Sequence, residues 1–189
     1  TVCVLDHSVS CNVDETMPRG NQYYSYGQNK AACEEYLLAE SAKGGFPLTI
    51  IRPTQTYSEN KIPLTYKGKS YWSVCSRMLK GKEVIVHADG QGIWAGTHAE
   101  DLAKLIVPAI ANENAVGEIY HMMNPESYTW DMIYQVLAEE LGGEYKPVYI
   151  STYLLDESKK YNWKESIHGD KHYSCIFDIS KAKELCPDF

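Results

Sequence analysis

The hydrophobic and polar positions along the chain predict short strands alternating with helices. Thr1–Leu5 (TVCVL) is apolar and β-branched, which predicts a buried strand. His7 to Gln22 is polar and contains Pro18 and Gly20, which predicts a loop. Asn29 to Lys43 (NKAACEEYLLAESAK) is rich in helix formers and ends at Gly44-Gly45, as a helix should. Pro47-Leu48-Thr49-Ile50-Ile51 predicts a second buried strand, so strand, helix and strand suggest a parallel βαβ unit.

The alternation continues beyond a proline-containing loop from Arg52 to Ser70. Trp72–Leu79 predicts a helix, Glu83–His87 a strand and Asp89-Gly90-Gln91-Gly92 a turn. His98–Ala111 predicts a helix in which Pro108 forces a kink or an early end. Gly117–Met123 predicts a strand. Thr129 is a suitable N-cap for a helix over Trp130–Leu141, closed by Gly142-Gly143. Tyr145–Ile150 predicts a strand, Ser151–Tyr173 an irregular surface segment, and Asp178–Leu185 a short helix.

Composition narrows the function classes. The 189 residues carry a net charge of −7, with arginine only at positions 19, 52 and 77. That argues against a nucleic-acid surface and against an anionic membrane surface. No apolar run approaches the roughly 20 residues of a membrane span. The six cysteines form no Cys-x-x-Cys. They are expected as buried free thiols in a reducing cytosol, hence a cytoplasmic location. His98 and His121 have no second His or Cys at ligand spacing, so no metal site is expected.

The chemistry concentrates at Tyr26-Gly27-Gln28-Asn29-Lys30, where the long helix begins. On a helix, positions i and i+4 share a face, so an ammonium would lie beside a phenol. A nearby cation favours the phenolate, which suits proton exchange with an alcohol or carbonyl. Spacing alone is weak evidence: with 15 tyrosines, roughly one Tyr-x-x-x-Lys is expected by chance. A second pair, Tyr57 and Lys61, falls in the predicted loop.

Order adds what spacing lacks. Tyr26-Gly27-x-x-Lys30 is followed by Ile51-Arg52-Pro53, then Asp89-Gly90-x-Gly92 with Thr97-His98-Ala99-Glu100-Asp101-Leu102-Ala103. Gly117-Glu118-Ile119-Tyr120-His121 and Phe177-Asp178-Ile179-Ser180-Lys181 complete the series. In this order and spacing the chain resembles the extended short-chain dehydrogenase/reductases, the NAD-dependent epimerase/dehydratase group. The resemblance implies an α/β fold, with part of a Rossmann-like doubly wound parallel sheet and a small C-terminal substrate-binding domain. Residues 1–57 would be the C-terminal part of the dinucleotide-binding domain. Residues 58–189 would be mainly substrate domain, with about 97–124 returning to the nucleotide domain.

The resemblance implies a hydride-transferring epimerase, dehydratase or reductase that uses NAD or NADP on a sugar-like substrate. Tyr26 would be the acid–base. Lys30 would modulate it and hold the nicotinamide ribose, and Pro53 and Gln55 would lie along the cofactor. The group's third catalytic group is a Ser or Thr just after the first strand seen here. The ungapped match puts His7 there, with Ser8 beside it as the favoured hydrogen-bond partner. His7, Gln55 and Trp94 are the expected substrate contacts. Members of the group often pair through the helix bearing the tyrosine and lysine, so a homodimer is an open expectation.

Two departures matter. No glycine-rich pyrophosphate loop follows a strand in these residues, so the expectation is that the N-terminal half of the nucleotide domain lies upstream. The position where nucleotide-sugar epimerases carry a diphosphate-binding arginine is Trp94. An indole has one N–H donor and no charge, which argues against a diphosphate sugar. Trp94 would stack on a ligand or sit in the core. The alternative is a non-catalytic binding or regulatory protein on the same fold.

Overall fold

The computed structural model describes residues 1–64, 70–110, 112–158 and 163–189. In chain order the elements are β1 (Asn12–Val13), α1 (Ser25–Ala42), β2 (Ile50–Arg52), β3 (Gln55–Tyr57), α2 (Tyr71–Leu79) and β4 (Val84–His87). Then follow β5 (Ile93–Trp94), β6 (Gly96–His98), α3 (Ala99–Ile106), β7 (Ile119–His121), β8 (Tyr128–Thr129) and α4 (Trp130–Glu140). The chain closes with β9 (Pro147–Ile150), α5 (Thr152–Asp156), β10 (Ile176–Phe177) and α6 (Ser180–Leu185).

Local chemistry sets several of these limits. α1 stops where Gly44, at φ 80°, donates its N–H to Ser41 O at 2.9 Å. α4 starts where Thr129 Oγ1 accepts the Met132 N–H at 3.2 Å. Pro108 ends α3 early, and one 3₁₀ turn over Val107–Ala109 follows.

The strands pair across long sequence separations. β1 pairs with β10, β2 with β7, β3 with β6 and β4 with β9, all parallel, while β5 and β8 are antiparallel. Parallel pairing with helical crossovers makes this an α/β fold. Two apolar clusters lie beneath it. The larger includes Val4, Leu5, Trp94, Met122, Trp130 and Phe177. The smaller joins α2, β4 and α4 through Val74, Met78, Val86 and Tyr134.

Five sequence expectations are corrected. Thr1–Leu5 is not a strand: Val2–Val4 forms a 3₁₀ turn in which Leu5 N–H returns to Val2 O at 3.0 Å. Val2, Val4 and Leu5 are still buried, because a tight turn against Pro53 hides them as well as a strand would. The expected βαβ unit therefore lacks its first strand, and β2 takes β7 as its partner. The loop after Arg52 contains β3, while residues 65–69 lie outside the described residues.

The supposedly irregular stretch 151–173 holds α5 and a π-helical segment over Lys164–Lys171; residues 159–162 lie outside the described residues. Cysteines 11 and 33 are exposed rather than buried, and all six are free thiols. Cys33 lies on α1, whose only buried residues are Gly27 and Glu34. Among the described residues no helix is long and apolar enough to cross a membrane.

Candidate active site

A cleft of about 390 Å³ opens where α1, the segment after β2, β5 and the π-helical segment meet. Tyr26, Pro53, Gln55 and Trp94, four of the expected residues, line it together. Tyr26 stands in the first turn of α1 and is half exposed. Lys30 follows one helical turn later and is exposed. It is not among the residues that line the cleft.

The first turn of α1 is held by three devices. Gly27 lies against the carbonyl of Cys3, where a Cβ would collide with the oxygen, so no larger residue fits. Asn21, buried before the helix, accepts the N–H groups of Tyr23 and Tyr24 at 3.1 and 3.0 Å. Its Nδ2 donates to Gly169 O at 2.5 Å, tying the helix to the π-helical segment. Two turns further on, Glu34 receives Arg52 Nη2 at 2.8 Å and Nε at 3.2 Å. Arg52 Nη1 also donates to Glu15 O at 3.2 Å, so the end of β2 and the loop before α1 share one buried guanidinium.

Pro53 and Thr54 follow the carboxyl end of β2, and Gln55 opens β3. Pro53 O accepts the Val2 N–H at 3.1 Å. Gln55 Nε2 donates to Leu64 O at 3.4 Å, but its Oε1 is buried with no partner. Thr54 Oγ1 and Trp94 Nε1 are likewise buried without a hydrogen-bond partner, Asp170 Oδ1 faces His7 Nδ1 at 3.6 Å, and all four residues line this cleft. Unsatisfied polar atoms gathered in one place are unusual and point to a polar ligand.

Two expected contacts are displaced. His7 is buried in the core, edge-on to Trp94 at 5.5 Å and Phe177 at 6.2 Å. Its Nε2 pairs with Val2 O at 3.1 Å, and its Nδ1 lies 3.6 Å from Asp170 Oδ1. Burial lowers its pKa, against the pull of Asp170. His7 does not line the cleft, and neither does Ser8, which is exposed with its Oγ donating to Asp6 Oδ1 at 2.5 Å. Thr54, Thr56 and Ser166, all hydroxyl-bearing residues, line the cleft with Tyr26, and so does Thr1. Sequence reasoning missed it because a strand over residues 1–5 would place the strand end at residue 6. The 3₁₀ turn brings that end back to Thr1.

Trp94 is a core residue, 2% exposed, stacked on Trp130 at 6.2 Å and contributing only part of the cleft wall. The cleft also contains a charge pair that the sequence did not suggest. Lys171 Nζ bonds Asp170 Oδ2 at 2.7 Å and lies 5.9 Å from the Trp94 ring centre. Burial disfavours the ammonium, but Asp170 outweighs it and holds the Lys171 pKa above its usual value. Burial pushes the Cys3 thiol and the Tyr24 phenol up to about 12, so both stay neutral. No signal pointed to this pair, because its segment was expected to be irregular surface.

Parallel strand pairs with helical crossovers and a cleft beyond the carboxyl end of β2 place the chain in the class of Rossmann-like α/β folds. The chain belongs to the NAD dependent epimerase/dehydratase family, whose model matches residues 3–122. It is 22% identical over 166 residues to the 2'-dehydrokanamycin reductase of Streptomyces kanamyceticus, covering 87% of this chain and 46% of that protein. Its fold is similar to the UDP-glucuronic acid 4-epimerase of Bacillus cereus solved with NAD, with TM-score 0.73 and 19% identity, covering 98% of this chain and 52% of that one. It is also similar to the UDP-glucose 4-epimerase of Thermotoga maritima solved with UDP-glucose, with TM-score 0.67 and 22% identity, covering 92% and 50%. The chain thus spans about half the length of the relatives it matches.

Proposed function

We propose that this chain is the catalytic-tyrosine portion of an NAD(P)-dependent epimerase, dehydratase or reductase that acts on a sugar-like substrate. The observation that carries this reading is the meeting of Tyr26, Thr1 and three residues with unpartnered buried polar atoms, Thr54, Gln55 and Trp94, at one cleft in a family member. In this reading residues 1–57, with about 97–124, belong to the nucleotide side, and most of 58–189 to the substrate side. The smaller apolar cluster lies wholly within the substrate side, while the larger joins residues of both sides.

The residues fit the nicotinamide half of a dinucleotide. Tyr26 and Lys30 are accessible one turn apart, and the orphaned Thr54 hydroxyl and Gln55 amide oxygen offer polar partners beside Pro53. When bound, the nicotinamide would accept or return a hydride. The chain's own residues handle the proton and the geometry. Tyr26 takes the hydroxyl proton as the carbinol carbon loses hydride, and returns it in the reverse direction. Lys30, one helical turn on, would hold the nicotinamide ribose beside the phenol. The Thr1 hydroxyl takes the role first assigned to Ser8, donating a hydrogen bond to the substrate oxygen. α1 leaves Tyr36 and Leu37 exposed, which supports pairing of two copies through that helix; mass in solution tests it.

The test is Tyr26→Phe in the natural gene product that contains this chain. Turnover of a keto-sugar with reduced dinucleotide should fall by about 10²–10⁴-fold. Dinucleotide affinity should stay within about twofold, since the phenol is one contact among several. Unchanged turnover would remove Tyr26 from the chemistry. A protein that binds dinucleotide but turns over neither form would be a binding or regulatory protein instead.

A further inference from the structure

Two cysteines stand opposite each other where β1 meets β10. The parallel register pairs Asn12 with Ile176 and Val13 with Phe177, so one step earlier it sets Cys11 against Cys175. The ladder reaches that step: Ile176 N–H donates to Cys11 O at 2.7 Å. Neighbouring strands lie about 4.8 Å apart, inside the roughly 4.4–6.8 Å between Cα atoms that a disulfide spans. By strand alternation Cys11 shares a face with Val13, and Cys175 with Phe177. Val13, Phe177 and Cys175 are buried, while Cys11, at the open end of the ladder, is exposed. Cys175 is also fixed from the other side. Its N–H donates to Ile93 O at 2.9 Å, and Ser174 Oγ accepts the Ile93 N–H at 3.1 Å.

We infer that Cys11 and Cys175 form a reversible disulfide, in which Cys11 meets the oxidant and Cys175 resolves the first adduct. The oxidant is a low-molecular-weight disulfide, for which oxidised glutathione serves as probe. The Cys11 sulfur, as thiolate, attacks one glutathione sulfur; a Cys11–glutathione bond forms and one glutathione thiol leaves. The Cys175 sulfur then attacks the Cys11 sulfur, gives up its proton and releases the second glutathione thiol. Two protein thiols are oxidised, one glutathione disulfide is reduced, and both protons end on glutathione. Access sets the order. Cys175 is sealed from solvent, and burial, then the charges of Asp170 and Cys11, raise its pKa. It therefore stays an inert thiol until Cys11 presents an activated sulfur beside it. Strands about 4.8 Å apart hold the two Cβ atoms wider than the about 3.8 Å of a relaxed disulfide, which keeps the bond reducible. The bond would tie the segment leading to Tyr26 to the segment leading from Lys171, and both of those residues line the cleft.

The experiment uses the natural gene product that contains this chain, fully reduced, then exposed to oxidised glutathione, alkylated and mapped by peptide mass. A peptide pair joined through Cys11 and Cys175, lighter by two hydrogens than the free thiols, should appear and should vanish on treatment with dithiothreitol. Cys175→Ser should stop at a glutathione adduct on Cys11. Cys11→Ser should leave Cys175 an unreacted thiol. Cys33, exposed on α1 and in strand register with no cysteine, is the internal comparison and should stop at its own adduct. If Cys175→Ser does not fold, the unsubstituted protein and Cys11→Ser, a change at an exposed site, still decide the question. A Cys11 adduct that persists in the unsubstituted protein with no cross-link overturns the inference. So does a bond from Cys11 or Cys175 to any other cysteine, or a Cys11 that stays unmodified while Cys33 reacts.

Discussion

Gly27 and Cys3 approach each other so closely that the first turn of α1 has no room for a side chain at position 27. The contact sets the distance between the helix that presents Tyr26 and the turn that presents Thr1. The glycine after the tyrosine is therefore a spacing device as much as a conformational one. Gly27→Ala should destabilise the chain by at least about 2 kcal/mol, because backbone rather than a pliable side chain must move. Urea denaturation measures it, and a loss below about 0.5 kcal/mol would show that the two segments are not held in register.

The ion pair between Glu34 and Arg52 is buried on both sides. Glu34→Ala leaves a buried guanidinium largely uncompensated and should cost about 3–5 kcal/mol. Replacing both, with Glu34→Leu and Arg52→Met, should recover much of that loss. A double variant as unstable as the single would mean that the pair contributes beyond charge compensation, which a double-mutant cycle reads directly.

Asn21 connects α1 to the π-helical segment through Gly169 O. Asn21→Asp keeps an acceptor for the Tyr23 and Tyr24 N–H groups but loses the donor to Gly169. It should leave α1 intact and loosen residues 164–171, costing about 1–3 kcal/mol. Hydrogen exchange should accelerate in that segment and not along α1. Equal protection in both would show that Asn21 does not link them.

Two buried histidines make stability depend on acid. His87 and His121 are 2% and 0% exposed, and burial holds each pKa at about 4 against an ordinary value of 6.5. Below pH 6.5 the unfolded chain takes up protons that the folded chain refuses. Stability is therefore complete above about pH 6.5 and is lost as pH falls toward 4, by on the order of 3 kcal/mol per histidine. Urea midpoints at pH 7 and pH 5 give the slope, and His121→Phe should flatten it. A midpoint that does not change between those pH values would contradict the depressed values.

Much of this site could be read from the sequence, and the failures have a common cause. Tyr26, Pro53, Gln55 and Trp94 meet in the cleft, and the order of several motifs pointed to them better than any single spacing did. Caps and breakers also worked: Gly44, Pro108 and Thr129 act through local backbone chemistry that needs no tertiary information. Thr1 was missed because a hydrophobic pattern of buried Val2, Val4 and Leu5 is equally satisfied by a strand or by a tight turn. Asp170 and Lys171 were missed because their segment is polar by composition, and its burial comes from Tyr23, Tyr24 and Trp94, far away in sequence. The departure at Trp94 was visible, but its place in the core was not, since an indole at a cleft wall and one in a core have the same local sequence.

The pairing of β1 with β10 has a consequence in time. Residues 12–13 pair with residues 176–177, which are made much later in synthesis. β2 must likewise wait for β7, and β4 for β9. Until then their unpaired edges are open to other chains, and each closure carries the entropy of a long loop. Folding should therefore be slow, and Thr1, Tyr26 and Lys171 cannot share a cleft before residue 171 has been made. The cleft therefore forms only once segments far apart in sequence are available to pack together.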